Sequence, residues 1–481
     1  MKDARVFFAF VFLSLLAMFS ARYYLTGHGI DGDGIEFYSY LPSAFIDGDL
    51  DFGNQCRGFY DFMPSLYREY RYEEGKPPAG GIYSQTDAEV RYDAKTMCDK
   101  NQGEYEGYAA HTIGCAVLWT PFFLASLALT HLLNLFGLGL RADGIGHLTQ
   151  YVTVSSSTLY AMAGLYLAYL LGGRLGIRSR NLMIAIAAIV PGTFLLQYFA
   201  IEPSLSQAVD YFIVTAFYFL LHRLLNGKTR RRDYAAAGVA AGIMVDVRPQ
   251  NIAFVAVALA YWLVEAVAVV RKAGLPRYAK AELQPKFVFA VFAAIAAAPL
   301  FLAFKAIYGA WVPLGHQLYC VTLDKTPSLA QLLGAPKLYE VLFSNRHSLF
   351  VSTPLLIPAF IGFCLLFKER RKDRTFLLLV LAGFLAQLYF NSVVTDWWAG
   401  PSPGARRFTG TILLFILGLS YVFEKSKAKL LTYAAAAALV GFNLVYLFVH
   451  NLHLINPHEA VTYAEIVEAF LRFLKTRLGL P

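Results

Sequence analysis

Apolar runs of about twenty residues recur almost from end to end of the chain, separated by short polar stretches. An α-helix rises about 1.5 Å per residue, so roughly twenty apolar residues cross a hydrocarbon core about 30 Å thick. The pattern predicts eleven spanning helices, at about 6–25, 148–172, 181–200, 204–225, 234–248, 251–270, 287–308, 349–367, 374–393, 408–423 and 430–449. The expected fold class is an all-α polytopic membrane protein, with one transmembrane domain over 1–481. The opening segment "MKDARVFFAFVFLSLLAMFSARYYLTG" has an apolar stretch longer than a usual signal-peptide core. It also has a poor small-residue cleavage site, with Phe19 at the −3 position, so it reads as an uncleaved first span.

The short connections carry the charge signal. "GGRLGIRSR", "NGKTRRR", "RKAGLPRYAKAELQPK", "KERRKDR" and "EKSKAK" are all basic. Together with the N-terminal tail they are expected on the cytoplasmic side. The alternate connections, 27–147, 201–203, 249–250, 309–348, 394–407 and the tail 450–481, then face outward. One segment resists this scheme. "HTIGCAVLWTPFFLASLALTHLLNLFG", 111–137, is long and apolar enough to cross, yet a crossing there would flip all five basic loops. The expectation is a membrane-lying or re-entrant segment, broken at Pro121, inside a large first external loop. The competing reading is a true span compensated by a further short one.

Composition agrees. The chain is 57% hydrophobic and 16% charged, with mean hydropathy +0.47. Soluble domains average about a quarter charged. The net charge of +9 follows from the basic loops and calls for no nucleic acid. The loop 27–110 reverses the balance, with sixteen Asp and Glu, seven Lys and Arg, and ten Tyr. Cys56 and Cys98 fall in this loop, where an oxidising compartment would permit a disulfide. Cys364 lies in a span and reads as an inert core thiol.

The acids begin directly after the first span, in "HGIDGDGIEFYSYLPSAFIDGDLDF". Asp31, Asp33 and Glu36 stand at the outer surface, and Glu36 to Phe45 reads as a helix. Three chemistries fit the spacing. A carboxylate there can act as general base toward an acceptor hydroxyl. Asp31 with Asp33, or Asp47, Asp49 and Asp51, can offer alternate oxygens to calcium, although the Gly and Glu that complete an EF-hand loop are missing. The same acids can simply cap helices and turns. In "YFAIEPSLSQAVDYF", Glu202 occupies the next outward turn, at the same expected level as Asp33.

Cations share that level. "MVDVRPQN" places Asp246 and Arg248 at the outer end of an apolar stretch of about fourteen residues, roughly 21 Å. Arg248 therefore reads either as a sunken functional charge or as a structural partner of Asp246. "LFSNRHSLFVSTP" adds Arg346 and His347, and "DWWAGPSPGARRFTG" adds Arg406 and Arg407. Outward basic residues run against the charge bias, and a phosphate group explains them as well as lipid headgroups do. Lys305 near a span end can snorkel. His450, His453 and His458 are loosely spaced and read as surface. No P-loop, G-x-S-x-G or zinc spacing occurs in a supporting context, and no inverted repeat is visible.

The order of one span, an external loop opening with D-G-D-G-I-E-F-Y-S-Y-L, then many spans resembles the GT-C superfamily of membrane glycosyltransferases. Bacterial relatives of the protein O-mannosyltransferase and aminoarabinose-transferase group are the nearer likeness. "FSNRHSLFVSTPLL" and "WWAGPSPGARRFTG" look like the later FSPxHGLF…TP and WxGGxSxGxRR segments of such proteins. Ser348 and Pro401 stand where the family more often has Gly, and Glu202 stands where it usually has Asp. The resemblance spans nearly the whole chain on short motifs. It implies a GT-C-like fold with membrane-lying helices in the first periplasmic loop, and a multi-pass protein of the bacterial inner membrane. It implies a polyprenyl-phosphate-linked sugar as donor, Asp33 as catalytic acid residue with Glu36 beside it, and Glu202 as the second acid.

The expected function is inverting transfer of that sugar to a hydroxyl of a glycan, lipid or protein at the periplasmic face. Asp33 serves as base, and Arg248, Arg346, His347, Arg406 and Arg407 line the donor phosphate. No cofactor is required; the acids allow a divalent metal without demanding one. A transporter or flippase of lipid-linked saccharides is the alternative, and it would want polar residues near mid-membrane. A calcium-dependent surface protein has only the Asp spacing in its favour. A reporter active only outside the cytoplasm, fused after Asn226, is expected to be silent; an active fusion there would reverse the orientation.

Overall fold

A computed structural model describes residues 2–30, 32–62, 111–227, 229–273, 283–312, 336–394 and 396–479. The regular secondary structure of the described residues is all helix, without strands. In order they form α1 (Lys2–Thr26), α2 (Asp33–Pro42), α3 (Gly53–Phe62), α4 (Gly114–Leu135), α5 (His147–Arg174) and α6 (Ser179–Ile189). Then follow α7 (Gln207–Asn226), α8 (Arg231–Val247), α9 (Ile252–Ala273), α10 (Gln284–Tyr308), α11 (Leu338–Phe343) and α12 (Leu349–Ser352). The chain closes with α13 (Leu356–Glu369), α14 (Arg374–Val393), α15 (Ile412–Lys425), α16 (Lys429–Asn451) and α17 (Tyr463–Leu478).

Nine helices among the described residues are long and apolar enough to cross a membrane, rather than the eleven expected. They are α1, α4, α5, α7, α9, α10, α14, α15 and α16. Two expected spans prove broken, each for a local reason, and a third falls just short of the length of a full span. The run 181–200 stops at Ile189 because Pro191 cannot donate to the helix ladder. Its open carbonyls are satisfied from afar: Asn443 of α16 donates to Pro191 O at 2.9 Å and to Thr193 O at 3.1 Å. The run 349–367 is split between α12 and α13, where Thr353 leaves the helical conformation just before Pro354. The run 234–248 is the 17-residue helix α8.

The segment 111–137 supplies the ninth long apolar helix, and Pro121 does not break it as expected: α4 runs straight through. Hydroxyls take up carbonyls in the turn that precedes the proline. Thr120 donates to Ala116 O at 2.8 Å, and Tyr160 of α5 donates to Leu118 O at 2.7 Å. Trp119 Nε1 also donates to Ser157 at 2.8 Å. The start of α4 therefore lies beside residues 157–160 of α5. That is up to thirteen residues, about 20 Å, along α5 from its first residue. α4 covers only the first half of α5.

The basic connections meet at one end of the bundle. Arg178 pairs with Glu424 at 3.1 Å, Arg223 with Asp233 at 2.7 Å, and Lys425 with Glu369. Arg370 donates to Gly176 O at 2.9 Å, and Arg231 to Gln284 at 2.9 Å. These contacts link three of the basic loops to one another and the other two to each other. His222 Nε2, 3.8 Å from Asp373 Oδ1, brings the two groups together on one face, as the charge pattern required.

Two glycines fix the opposite face. A Cβ on Gly34 would lie 2.5 Å from Ser204 Oγ, so only glycine lets α2 press onto the turn that follows Glu202. A Cβ on Gly114 would lie 2.2 Å from Val247 N, so only glycine lets the start of α4 rest on the end of α8. Trp119 and Phe123 are fully buried one to three turns later, anchoring that contact. Gly114→Ala is expected to lower stability by about 1–3 kcal/mol through overpacking, read as an earlier thermal midpoint in detergent. An unchanged midpoint would mean that the contact yields freely.

Candidate functional site

The end of the bundle opposite the basic loops gathers acids and arginines from distant parts of the chain. Asp33 opens α2 beside Arg406, whose Nη1 donates to Asp33 Oδ2 at 3.1 Å. On its other side Asp33 Oδ1 lies 3.7 Å from His111 Nε2. The second ring nitrogen of His111 lies 3.5 Å from Glu36 Oε2. One imidazole thus bridges two carboxylates. It is held there by Tyr40, which donates to His111 O at 2.8 Å, and by Phe37, whose ring centroid lies 4.7 Å away. The Asp33 side chain keeps 43% of its surface exposed, whereas that of Glu36 keeps 7%.

Burial raises the cost of charge on Asp33, but the Arg406 guanidinium and His111 outweigh it. Together they hold the Asp33 carboxyl well below the usual carboxylate range. Asp33 is therefore a partly exposed anion braced on both sides by cations or donors. It occupies the first turn of α2, where the helix dipole also favours negative charge.

Each remaining arginine has its own arrangement. Arg407 donates to Asp396 Oδ2 at 2.6 Å and to Asp396 O at 3.0 Å. Arg248 Nη1 lies 3.8 Å from Asp210 Oδ2, and the same nitrogen reaches Arg406 O at 3.5 Å. Asn251 holds the other Asp210 oxygen at 2.6 Å. The structural partner weighed for Arg248 was Asp246; the partner found is Asp210, one helix away. Asp246 is fully buried instead beside Leu300 of α10. Arg346 stacks on Trp398, 3.8 Å from the ring centroid, and has no carboxylate partner among the described residues. Glu202 is close enough to Arg22 and Arg406 to attract both.

His347 takes a different part. It is buried, its backbone sits at φ 49°, and its Nδ1 faces Ser402 O. Left-handed backbone is costly for a residue with a Cβ, so the surrounding contacts must impose it. Burial pushes its pKa down to about 4, against the pull of the Ser402 and Pro457 carbonyls, with Arg346 and Arg406 adding to the depression. His347 is thus a neutral strut between the turn that carries Arg346 and the turn that carries Arg406.

The acids weighed as calcium ligands are occupied locally. Asp49 accepts from Ser43 at 2.7 Å, Asp51 from Gly53 N at 2.9 Å, and Asp47 from Asn54 at 2.9 Å. These are the bonds of turns and helix caps. Among the described residues no group of three or more His, Cys, Asp and Glu could hold a metal ion. Asp31 lies outside the described residues. Cys56 is disulfide-bonded, and Cys98 lies outside the described residues. Cys364 is free and exposed on α13 rather than a core thiol. His450 is buried in α16 near His347 rather than on the surface, while His458 is exposed as read. Lys305 donates to Gly309 O at 2.6 Å, tying off its own helix end.

Site residues that the sequence reading passed over are His111, Asp210, Asp396 and Arg22. Asp210 and Asp396 stand inside stretches singled out for other residues, and each is an acid within an otherwise apolar or aromatic run. His111 begins a segment whose apolarity hid it. No protein-family model matches the chain, and no curated protein matches it.

The His347 shift has a sign. The unfolded imidazole binds a proton near pH 6.5, and the folded one only near pH 4. Its contribution to stability is whole above about pH 6.5 and is lost as the pH falls toward 4, on the order of 3 kcal/mol at most. His347→Gln keeps a donor for Ser402 O and is expected to flatten the acid-side fall in thermal midpoint between these pH values. An unchanged slope would assign the fall to other groups.

Proposed function

We propose that the chain is an inverting glycosyltransferase that takes a sugar from a polyprenyl-phosphate donor and passes it to a hydroxyl acceptor. The observation that carries this reading is the clustering of Asp33, Glu36 and His111 with Arg248, Arg346, Arg406 and Arg407 at one end of an apolar helical bundle. A polyprenyl tail fits an apolar bundle, and a departing phosphate fits a group of arginines. The site end is the face opposite the basic loops. By the charge rule this is the periplasmic face of a bacterial inner membrane, with the N-terminus cytoplasmic and the segment 450–481 periplasmic.

In this reading the acceptor oxygen attacks the anomeric carbon while Asp33 takes its proton. The bond from that carbon to the phosphate oxygen breaks, and the polyprenyl phosphate leaves with the electron pair. One direct displacement inverts the configuration. The ground-state pairing of Arg406 with Asp33 explains how donor and base communicate. A phosphate that draws Arg406 toward itself loosens the hold on Asp33, which then becomes the stronger base that proton transfer needs. Arg346, without a carboxylate partner among the described residues, is the cation most readily available to the phosphate. The 111–137 helix starts at the level of the site and rises beside the outer half of α5, which suits a wall of the external loop better than a full span. A divalent metal is not needed for this scheme.

Charged groups collect at the two ends of the bundle in the contacts above, which favours chemistry on one face over passage of a saccharide across. Asp33→Asn keeps the size and a hydrogen-bond acceptor but removes the base. It is expected to lower transfer from a polyprenyl-phosphate sugar in purified enzyme by about 10²–10⁴-fold, with donor affinity within a few-fold of the parent. Undiminished transfer would remove Asp33 from the chemistry.

A further inference from the structure

The last helix, α17, is a built element. Its start is closed by a capping box: Thr462 N donates to Glu465 Oε2 at 2.7 Å, and Glu465 N donates back to Thr462 Oγ1 at 3.3 Å. Its end is closed by Gly479 in the left-handed region, φ 63°. One apolar stripe packs on α16. Phe448 meets Phe470 at 5.7 Å and Phe473 at 5.2 Å between ring centroids, and Phe442 meets Tyr463 at 4.9 Å. Ile466 is buried in the same cluster.

A second apolar stripe lies beside the first, outside the apolar cluster that α17 forms with α16. Val467, Leu471 and Leu478 are 44%, 52% and 66% exposed. Their spacing of four and seven keeps them on one face. Polar residues fill the remaining arc, with Glu465, Glu468, Arg472 and Lys475. The apolar arc is thus about twice as wide as the contact with α16 uses. α16 itself exposes Leu444 and Phe448 along an apolar helix long enough to span, and Leu452 just past its end is exposed as well. The open stripe of α17 continues that surface.

The level of α17 identifies what covers the stripe. Tyr463 stands beside Phe442, nine residues before the end of α16 at Asn451, about 13 Å along the helix. Phe473 stands beside Phe448, three residues before that end, about 5 Å. α17 therefore climbs as it proceeds, and its last turns reach the level at which the span ends. Its basic residues sit there. Arg472 pairs with Glu468 at 2.6 Å, while Lys475 and Arg477 have no carboxylate partner among the described residues.

We propose that α17 is a lipid-binding helix. Val467, Leu471 and Leu478 enter the acyl region of the same bilayer that holds the spans, and Lys475 and Arg477 bind headgroup phosphates at its surface, with a preference for anionic lipid. The contact reaches the site by a short route. Val461 N donates to Asn345 O at 3.0 Å, and Tyr463 donates to Val351 O at 2.8 Å. These bonds fasten the lead-in of α17 to the turn that carries Arg346 and His347. A lipid-seated α17 holds that turn.

The full chain in nanodiscs of phosphatidylcholine, with and without phosphatidylglycerol, tests this. After Cys364→Ser, a nitroxide is placed by Leu471→Cys or by Glu468→Cys. The 471 label is expected to be relaxed by oxygen and shielded from a water-soluble nickel chelate, and the 468 label the reverse. Amide exchange across 463–478 is expected to slow several-fold when phosphatidylglycerol is added. Lys475→Gln with Arg477→Gln should abolish that slowing while leaving the 471 label in lipid. A 471 label as open to the nickel chelate as the 468 label overturns the seating. Exchange equal in the two lipids, or a slowing that survives the double variant, overturns the phosphate contact. Both positions are exposed, and since Arg477 also lies over the Phe473 ring, 5.6 Å from its centroid, the 471 label in the double variant checks that α17 keeps its place.

Discussion

Everything at the candidate site hangs on the ion pair between Asp33 and Arg406. The two residues are 373 positions apart, and each arrives on a different structural device. Asp33 is carried by the short helix α2, pressed inward through Gly34. Arg406 is carried by a tight turn whose carbonyls at Ala399 and Ser402 are themselves engaged, by Arg406 Nε at 3.0 Å and by His347. A charge at the end of a lipid-embedded bundle needs its partner in place before it is tolerable. That demand propagates outward: Arg248 reaches Arg406 O, Asp210 answers Arg248, and Asn251 answers Asp210. The cluster is a chain of mutual compensation more than a collection of separate ligands.

That organisation bears on the proposed reaction. A base that is free in the resting state would hold its proton affinity constant through the cycle. In the proposed reaction the base, Asp33, is clamped by a residue of the type that binds phosphate, so occupancy at one position would alter proton affinity at the other. The coupling needs no movement of helices, only the exchange of one guanidinium between two anions.

Much of this was legible in the chain because membranes enforce simple rules. Eight of the expected spans coincide with long apolar helices, and the basic loops do share one end. The rest was hidden where tertiary partners overrule local pattern. Hydropathy cannot show that Asn443 will rescue the carbonyls around Pro191, so 181–200 read as one helix. Nor can it show that Thr120 and Tyr160 will carry α4 through Pro121. At the site, outward acids and arginines were conspicuous because polarity there opposes the surroundings. Their pairing was not, since Arg248 stands two residues from Asp246 yet answers to Asp210 thirty-eight residues earlier.

The bond from Asn443 to the broken helix near Pro191 also orders assembly. The segment around residue 191 enters the membrane well before α16 is made, and in that interval two of its carbonyls face a medium that offers them no donor. Synthesis of nearly the whole chain must precede the settling of its middle. A chain shortened before residue 443 would lack the donor to Pro191 O and Thr193 O, a fault at its centre and not merely a missing end.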